Sequence, residues 1–320
     1  MFIGVLCGLI TTFIWGTAYL LPATVPEYGA AALMMMRAII VGATALVIMA
    51  FTWSKYRVLT KADWKYAFWL SMVGVVIQPV FLYTSVEYAG VCVGALSWGG
   101  VPVVVALVSN YLNKKRGKTF VPWKILIFPL ALIVAGFVLA NYTELEELVI
   151  NGTGSVGRFA FGVFCGLFQI ALWTWYGIKN ADWVQAHPDV PSDVWTSAQL
   201  LPALPAGLIC YPVIAFLNPD MGTLLGPRPA AFMLVSLYSG VVTTYVAVVF
   251  LNICAARLPT ALLGELLVFE TIFGIILGLI WDKRWPGLTL TAGIVLLIAG
   301  VLISLEIFAR ASAKEKSDEA

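Results

Sequence analysis

An all-α membrane protein, with ten transmembrane helices built as two inverted five-helix repeats and both termini cytoplasmic, is the fold this sequence predicts. Composition, the spacing of apolar runs and an internal repeat carry the expectation. Hydrophobic residues fill 61% of the 320 positions and charged residues only 11%, where a soluble domain carries about a quarter charged. The apolar runs fall at 2–21, 29–52, 65–84, 90–111, 123–141, 158–178, 194–217, 230–251, 259–281 and 287–308. Each is long enough to cross about 30 Å of hydrocarbon at about 1.5 Å per residue. Inside a bilayer the backbone must satisfy its own hydrogen bonds, so the runs are read as helices. Pro79, Pro102, Pro129, Pro202, Pro205 and Pro212 lie within them, as a packed membrane bundle tolerates.

Ten spans place both termini on one side, and the basic residues say which. With a cytoplasmic N-terminus the inner segments hold Lys55, Arg57, Lys61, Lys65, Lys114, Lys115, Arg116, Lys118, Lys124, Lys179, Arg257, Arg310, Lys314 and Lys316. The outer segments hold Arg158, Arg228, Lys283 and Arg284, and Arg37 lies within a span. Fourteen against four is a strong positive-inside bias. The first run starts at Met1 with no basic stretch before it and leads into an equally long second run, so it is read as a span and not a cleaved leader.

The internal repeat divides the chain. GVLCGLITTFIW (4–15) aligns without gaps on GVFCGLFQIALW (162–173), and Pro122 before AGFV (135–138) mirrors Pro286 before AGVL (299–302) at an offset of 164. The repeats are assigned to 1–141 and 158–308, joined by an external linker at 142–157 and followed by a cytoplasmic tail at 309–320. Five spans per repeat is odd, so the second half enters from the opposite face. Inverted repeats of this kind are common in secondary transporters, whose site lies near the midplane between the halves.

The first-span Trp15-Gly16, the second-span Arg37, the repeated halves, FWLSMVG (68–74) and RLPTALLGELLVFETIFGIILGLIWDKRWP (257–286) together resemble the drug/metabolite transporter superfamily, EamA type. The last two segments are similar to YddG-like aromatic amino acid exporters. The resemblance runs over nearly the whole chain. It implies ten helices, a central cavity between the halves, and export of amino acids or related metabolites without ATP. Glu265 departs from the Gln expected in that family's ninth span and leaves the charge of the substrate open.

Charged groups in a bilayer are costly and are functional candidates by default. Glu265 and Glu270 lie deep in the ninth span, and Glu306 lies close enough to the cytoplasmic end to reach water. Five residues turn a helix by about 500°, so the two deep carboxylates point about 140° apart and do not share one cavity. Glu265 is preferred for contact with substrate or a coupling proton, because Gly264 beside it leaves room. A structural pairing with Arg37 or a hydroxyl is the alternative. Arg37, eight residues into its helix, is read as an anchor or ion-pair partner with no part in substrate choice.

Aromatic side chains form the second group. Gly8, Thr12, Trp15 and Tyr19 follow one face of the first helix, and Gln169, Trp173 and Tyr176 one face of the sixth. Trp15 and Trp173 would then clamp a flat or cationic ligand from two sides. Trp98, Gln78, Tyr83 and Tyr245 are further expected contacts. Trp53, Trp64, Trp123, Trp183, Trp281 and Trp285 lie at span ends and read as interfacial.

Enzymatic chemistry is not expected: the single histidine, His187, falls in a polar loop, and no Asp lies in a span. The five cysteines read as small apolar filler. Small-residue pairs such as Gly4/Gly8, Gly162/Gly166 and Gly274/Gly278 read as packing faces within the chain. The expected partners are therefore a small-molecule substrate and membrane lipid, with no cofactor, metal or nucleic acid, for a monomer or weak homodimer of the inner membrane. The leading function is amino acid export by alternating access; the alternative is a carrier of lipophilic or quaternary ammonium cations.

Overall fold

With 61% of its residues hydrophobic, the chain cannot hide its apolar surface in one core, and it wears much of that surface outside. Phe2, Phe51, Ile127, Phe216 and Leu288 are more than 60% exposed, whereas Gln169, Thr196, Gln199 and Asn252 are wholly buried. This is the reverse of a water-soluble protein and suits a lipid surround. The structure is a computed structural model that describes residues 2–115, 121–145, 155–258, 260–283 and 285–318. Among these there is no β-strand. Six helical stretches are long and apolar enough to cross a membrane: Phe2–Thr24, Pro26–Phe51, Lys61–Ala89, Val156–Ala186, Ser192–Leu217 and Pro229–Arg257. Three shorter apolar helices, Trp123–Leu139, Phe269–Trp281 and Leu288–Ser304, accompany them.

The helices follow in chain order. The first stretch is α1 (Phe2–Ala18) and the single turn α2 (Leu21–Thr24), and the second is α3 (Gly29–Phe51). The third is α4 (Lys61–Leu70), a π segment (Ser71–Ile77) and α5 (Gln78–Ala89). Then come α6 (Val91–Gly99), α7 (Val101–Lys115), α8 (Trp123–Leu145) and α9 (Val156–Ala186). The remainder is α10 (Ser192–Leu200), α11 (Ala203–Leu217), α12 (Pro229–Leu237), a second π segment (Tyr238–Val246), α13 (Ala247–Arg257), α14 (Thr260–Trp281) and α15 (Leu288–Asp318).

Several boundaries differ from those read in the sequence. The predicted fourth span divides at Gly100 and the seventh at Leu201-Pro202, because proline at 102 or 202 cannot donate to the preceding turn. Helix α9 runs eight residues past the predicted 178. There Trp183 stacks on Trp195 with ring centroids 3.4 Å apart, an anchor that hydropathy does not register. Helix α15 continues through the predicted tail to Asp318, supported by an Arg310 to Glu306 ion pair one turn apart at 2.6 Å. Residues 146–154 of the predicted linker lie outside the described residues.

Glycines set the tightest crossings. Helices α8 and α15 pack along each other, and a methyl group on Gly136 would come within 2.5 Å of the Leu297 nitrogen, while one on Gly300 would come within 2.7 Å of the Pro129 carbonyl. Helices α3 and α11 cross in the same way, with Gly42 against the Leu204 backbone and Gly207 against Ile39 and the Met35 carbonyl. Between lipid-facing helices there is no hydrophobic effect to gain, so close backbone packing supplies the attraction. Helix α1 packs on α13 and α14, and α9 packs on α5 and α6. Gly8 of α1 faces Leu266 and Cys254, and Gly166 of α9 faces Ser85 and Ser97.

Candidate functional site

An interior cavity of about 80 Å³ lies where α1, α3, both π segments, α5, α6, α9, α13 and α14 converge. It has room for several water molecules. The wall holds Trp15, Tyr19, Arg37, Gln78, Tyr83, Trp98, Trp173, Tyr176, Thr243, Thr244 and Glu270, closed by apolar groups such as Val75, Leu82 and Val248.

The π segments place two of these side chains. A π turn widens the helix and frees a carbonyl from the usual ladder, and such turns are frequent at functional sites. In the first, Pro79 has no N–H to offer the carbonyl four residues back, at Val75. Arg37 takes the vacancy: one terminal guanidinium nitrogen donates to the Val75 carbonyl and the other to Thr244 Oγ1 at 2.6 Å. In the second, the Ala247 N–H reaches back five residues to Val242, and the Thr243 carbonyl accepts Trp15 Nε1 at 2.9 Å. Arg37 thus ties the two π segments together across the cavity wall.

The three tryptophans meet edge to face. Centroids lie 6.4 Å apart for Trp15–Trp98, 6.4 Å for Trp15–Trp173 and 5.2 Å for Trp98–Trp173, with interplanar angles of 77°, 89° and 73°. This is the favoured geometry for aromatic pairs. Trp15 and Trp173 touch each other directly, so no slot stands open between them as a two-sided clamp would require; a ligand meets the surfaces they turn to the cavity.

Glu270 is 2% exposed. Its Oε1 accepts from the Tyr19 hydroxyl at 3.1 Å, while its Oε2 has no hydrogen-bond partner. Arg37 is 7% exposed, and its guanidinium Nε is likewise unpartnered. Among the described residues neither has an oppositely charged group within 4.0 Å.

Of the residues singled out in the sequence, Trp15, Tyr19, Gln78, Tyr83, Trp98 and Trp173 come together on this wall. Gln169 sits one layer behind, wholly buried, accepting from Gln78 Nε2 at 2.8 Å. Tyr245 stands off the wall and bonds Ser197 through its hydroxyl at 2.8 Å. The side chain of Glu265 lies outside the described residues; Glu270 lines the cavity. Arg37, read as an anchor or ion-pair partner without a part in substrate choice, also lines it.

Sequence reading missed the polar network leading away from Tyr176. Its hydroxyl donates to Gln199 Oε1 at 2.9 Å, and Asn180 Oδ1 accepts from both Gln199 and Trp195. Asn180 Nδ2 donates to Asn252, which in turn donates to Thr196. No motif marks these residues; Thr196 and Gln199 lie on a predicted span, Asn180 and Asn252 just past the ends of two others, and none carries a charge to draw attention.

The fold and the cavity define a multi-helix membrane protein with a polar, aromatic interior. Over 310 residues the chain is 33% identical to the inner membrane protein YtfF of Escherichia coli (strain K12), covering 95% of each. It belongs to the same family and is a multi-pass protein of the inner membrane. No family model matches it. A crystal structure described only as that of a protein aligns over 96% of this chain and 98% of its own, with a TM-score of 0.65 and 16% identity, a likeness of fold alone.

Proposed function

We propose that the protein is a secondary transporter of the drug/metabolite transporter type that exports amino acids, aromatic ones in particular, or related small metabolites. The observation that carries this reading is one interior cavity walled by helices from both parts of the chain and lined by three tryptophans. The ten-span, two-repeat organisation is part of the proposal. It is supported by the exchange of contacts: α1 against α13 and α14 answers α9 against α5 and α6. The glycines of the tight crossings agree, Gly136 with Gly300 and Gly42 with Gly207. In this reading the repeats rock about the α3–α11 and α8–α15 crossings and expose the cavity to each side in turn.

One observation favours a second reading, a carrier of lipophilic or quaternary ammonium cations: a carboxylate oxygen of Glu270 without a partner beside tryptophan rings. Counterflow in proteoliposomes separates the two. Vesicles preloaded with unlabelled phenylalanine should accumulate labelled phenylalanine or tryptophan transiently, and those preloaded with choline should not accumulate labelled choline. Accumulation of choline or cationic dyes without amino acids reverses the assignment.

A further inference from the structure

We propose that Arg37 and Glu270 are the two poles of a zwitterion site, Arg37 receiving a carboxylate and Glu270 an ammonium group. The inference rests on the cavity being a substrate site, and it names the charge pattern the substrate must carry. Each pole is held by a neutral partner and left with free capacity. Arg37 is fixed by Thr244 and the Val75 carbonyl, with Nε unpartnered. Glu270 is fixed through Oε1 by Tyr19 and has the Trp98 indole N–H directed toward its carboxylate, with Oε2 short of a well-formed hydrogen bond. Both are more than nine-tenths buried and line the same cavity.

Charges in a membrane interior are retained where they are used, because each is costly to desolvate without compensation. Ligands of the three charge types differ in what they leave behind. A simple amine satisfies Glu270 but leaves the guanidinium uncompensated and brings it a like charge. A simple carboxylic acid does the converse. A zwitterion satisfies both and adds no net charge, so its passage does no work against the membrane potential. The tryptophan triad then receives the apolar group, and the charged poles select the head.

The test uses purified full-length protein and three ligands with one ring and different heads: phenylalanine, phenethylamine and 3-phenylpropionate. Binding is read by tryptophan fluorescence, and transport by counterflow in parallel. Wild type should bind phenylalanine at least about tenfold tighter than either analogue, the scale of losing one charge-assisted hydrogen bond. Glu270→Gln should abolish that preference over 3-phenylpropionate, and Arg37→Gln the preference over phenethylamine. Equal binding of all three by wild type, or no binding of any, overturns the site, whatever the variants do. So do variants that lose all three ligands alike, since that marks a purely structural role. Selective binding without counterflow leaves the site standing and defeats the transport reading; counterflow of all three at equal rates does the reverse.

Discussion

Gly136 and Gly300 occupy the same crossing from opposite sides, each within van der Waals contact of the other helix's backbone. Because the obstacle to a side chain is backbone, at Leu297 and at Pro129, it cannot be relieved by a rotamer change. Gly136→Val should therefore destabilise the protein by about 1–3 kcal/mol, the usual cost of overpacking. Gly287→Ala, with nothing within 4 Å of its new methyl group, should be close to neutral. Thermal unfolding in detergent, followed by circular dichroism, compares the two.

Gln78 and Gln169 join the first π segment's end to α9 through a single hydrogen bond, Gln78 Nε2 donating to Gln169 Oε1 at 2.8 Å. Gln78→Leu leaves a buried acceptor on Gln169 unpaired, at about 1–3 kcal/mol. The double variant Gln78→Leu/Gln169→Leu removes both halves and should regain most of that loss. A double-mutant cycle with additive costs would show that the bond does not couple these helices.

Replacing Trp173 by Ala removes two of the edge-to-face contacts. Such contacts are worth about 0.5–1.5 kcal/mol each beyond buried area. Transport of phenylalanine or tryptophan should fall severalfold or more, and that of alanine or threonine much less. Efflux from loaded vesicles, normalised to folded protein, measures the ratio; equal loss for large and small substrates assigns the rings to gating.

The predicted orientation can be read by cysteine labelling in intact cells. With fourteen basic residues assigned inside, a cysteine at Ser155 should react with an impermeant maleimide and one at Lys61 should not. The opposite pattern inverts the topology.

Part of this arrangement was legible in short stretches of sequence that match each other. AGFV and AGVL mark the α8–α15 crossing through Gly136 and Gly300, and the aligned first and sixth spans bring Trp15 to Trp173. The π segments were not read, since SMVGVVI and YSGVVTTYV suit an α-helix as well. A signal was present: Gly-Val-Val recurs at 74–76 and 240–242, 166 residues apart and close to the repeat offset of 164. What Arg37 anchors was hidden for a related reason. Counting residues from a helix start gives depth, but only tertiary structure shows that Pro79 frees the Val75 carbonyl to hold it at the cavity.

The central claim is that the cavity between the repeats is a substrate site open to each side in turn. Its most direct test is a single cysteine at Ala18, a partly buried residue on the cavity wall, in a protein whose native cysteines are replaced by serine or alanine. Reconstituted in oriented vesicles, Ala18→Cys should react with an impermeant maleimide added to either face, and phenylalanine should slow both reactions. Labelling from one face only, or at rates phenylalanine does not change, would contradict the account.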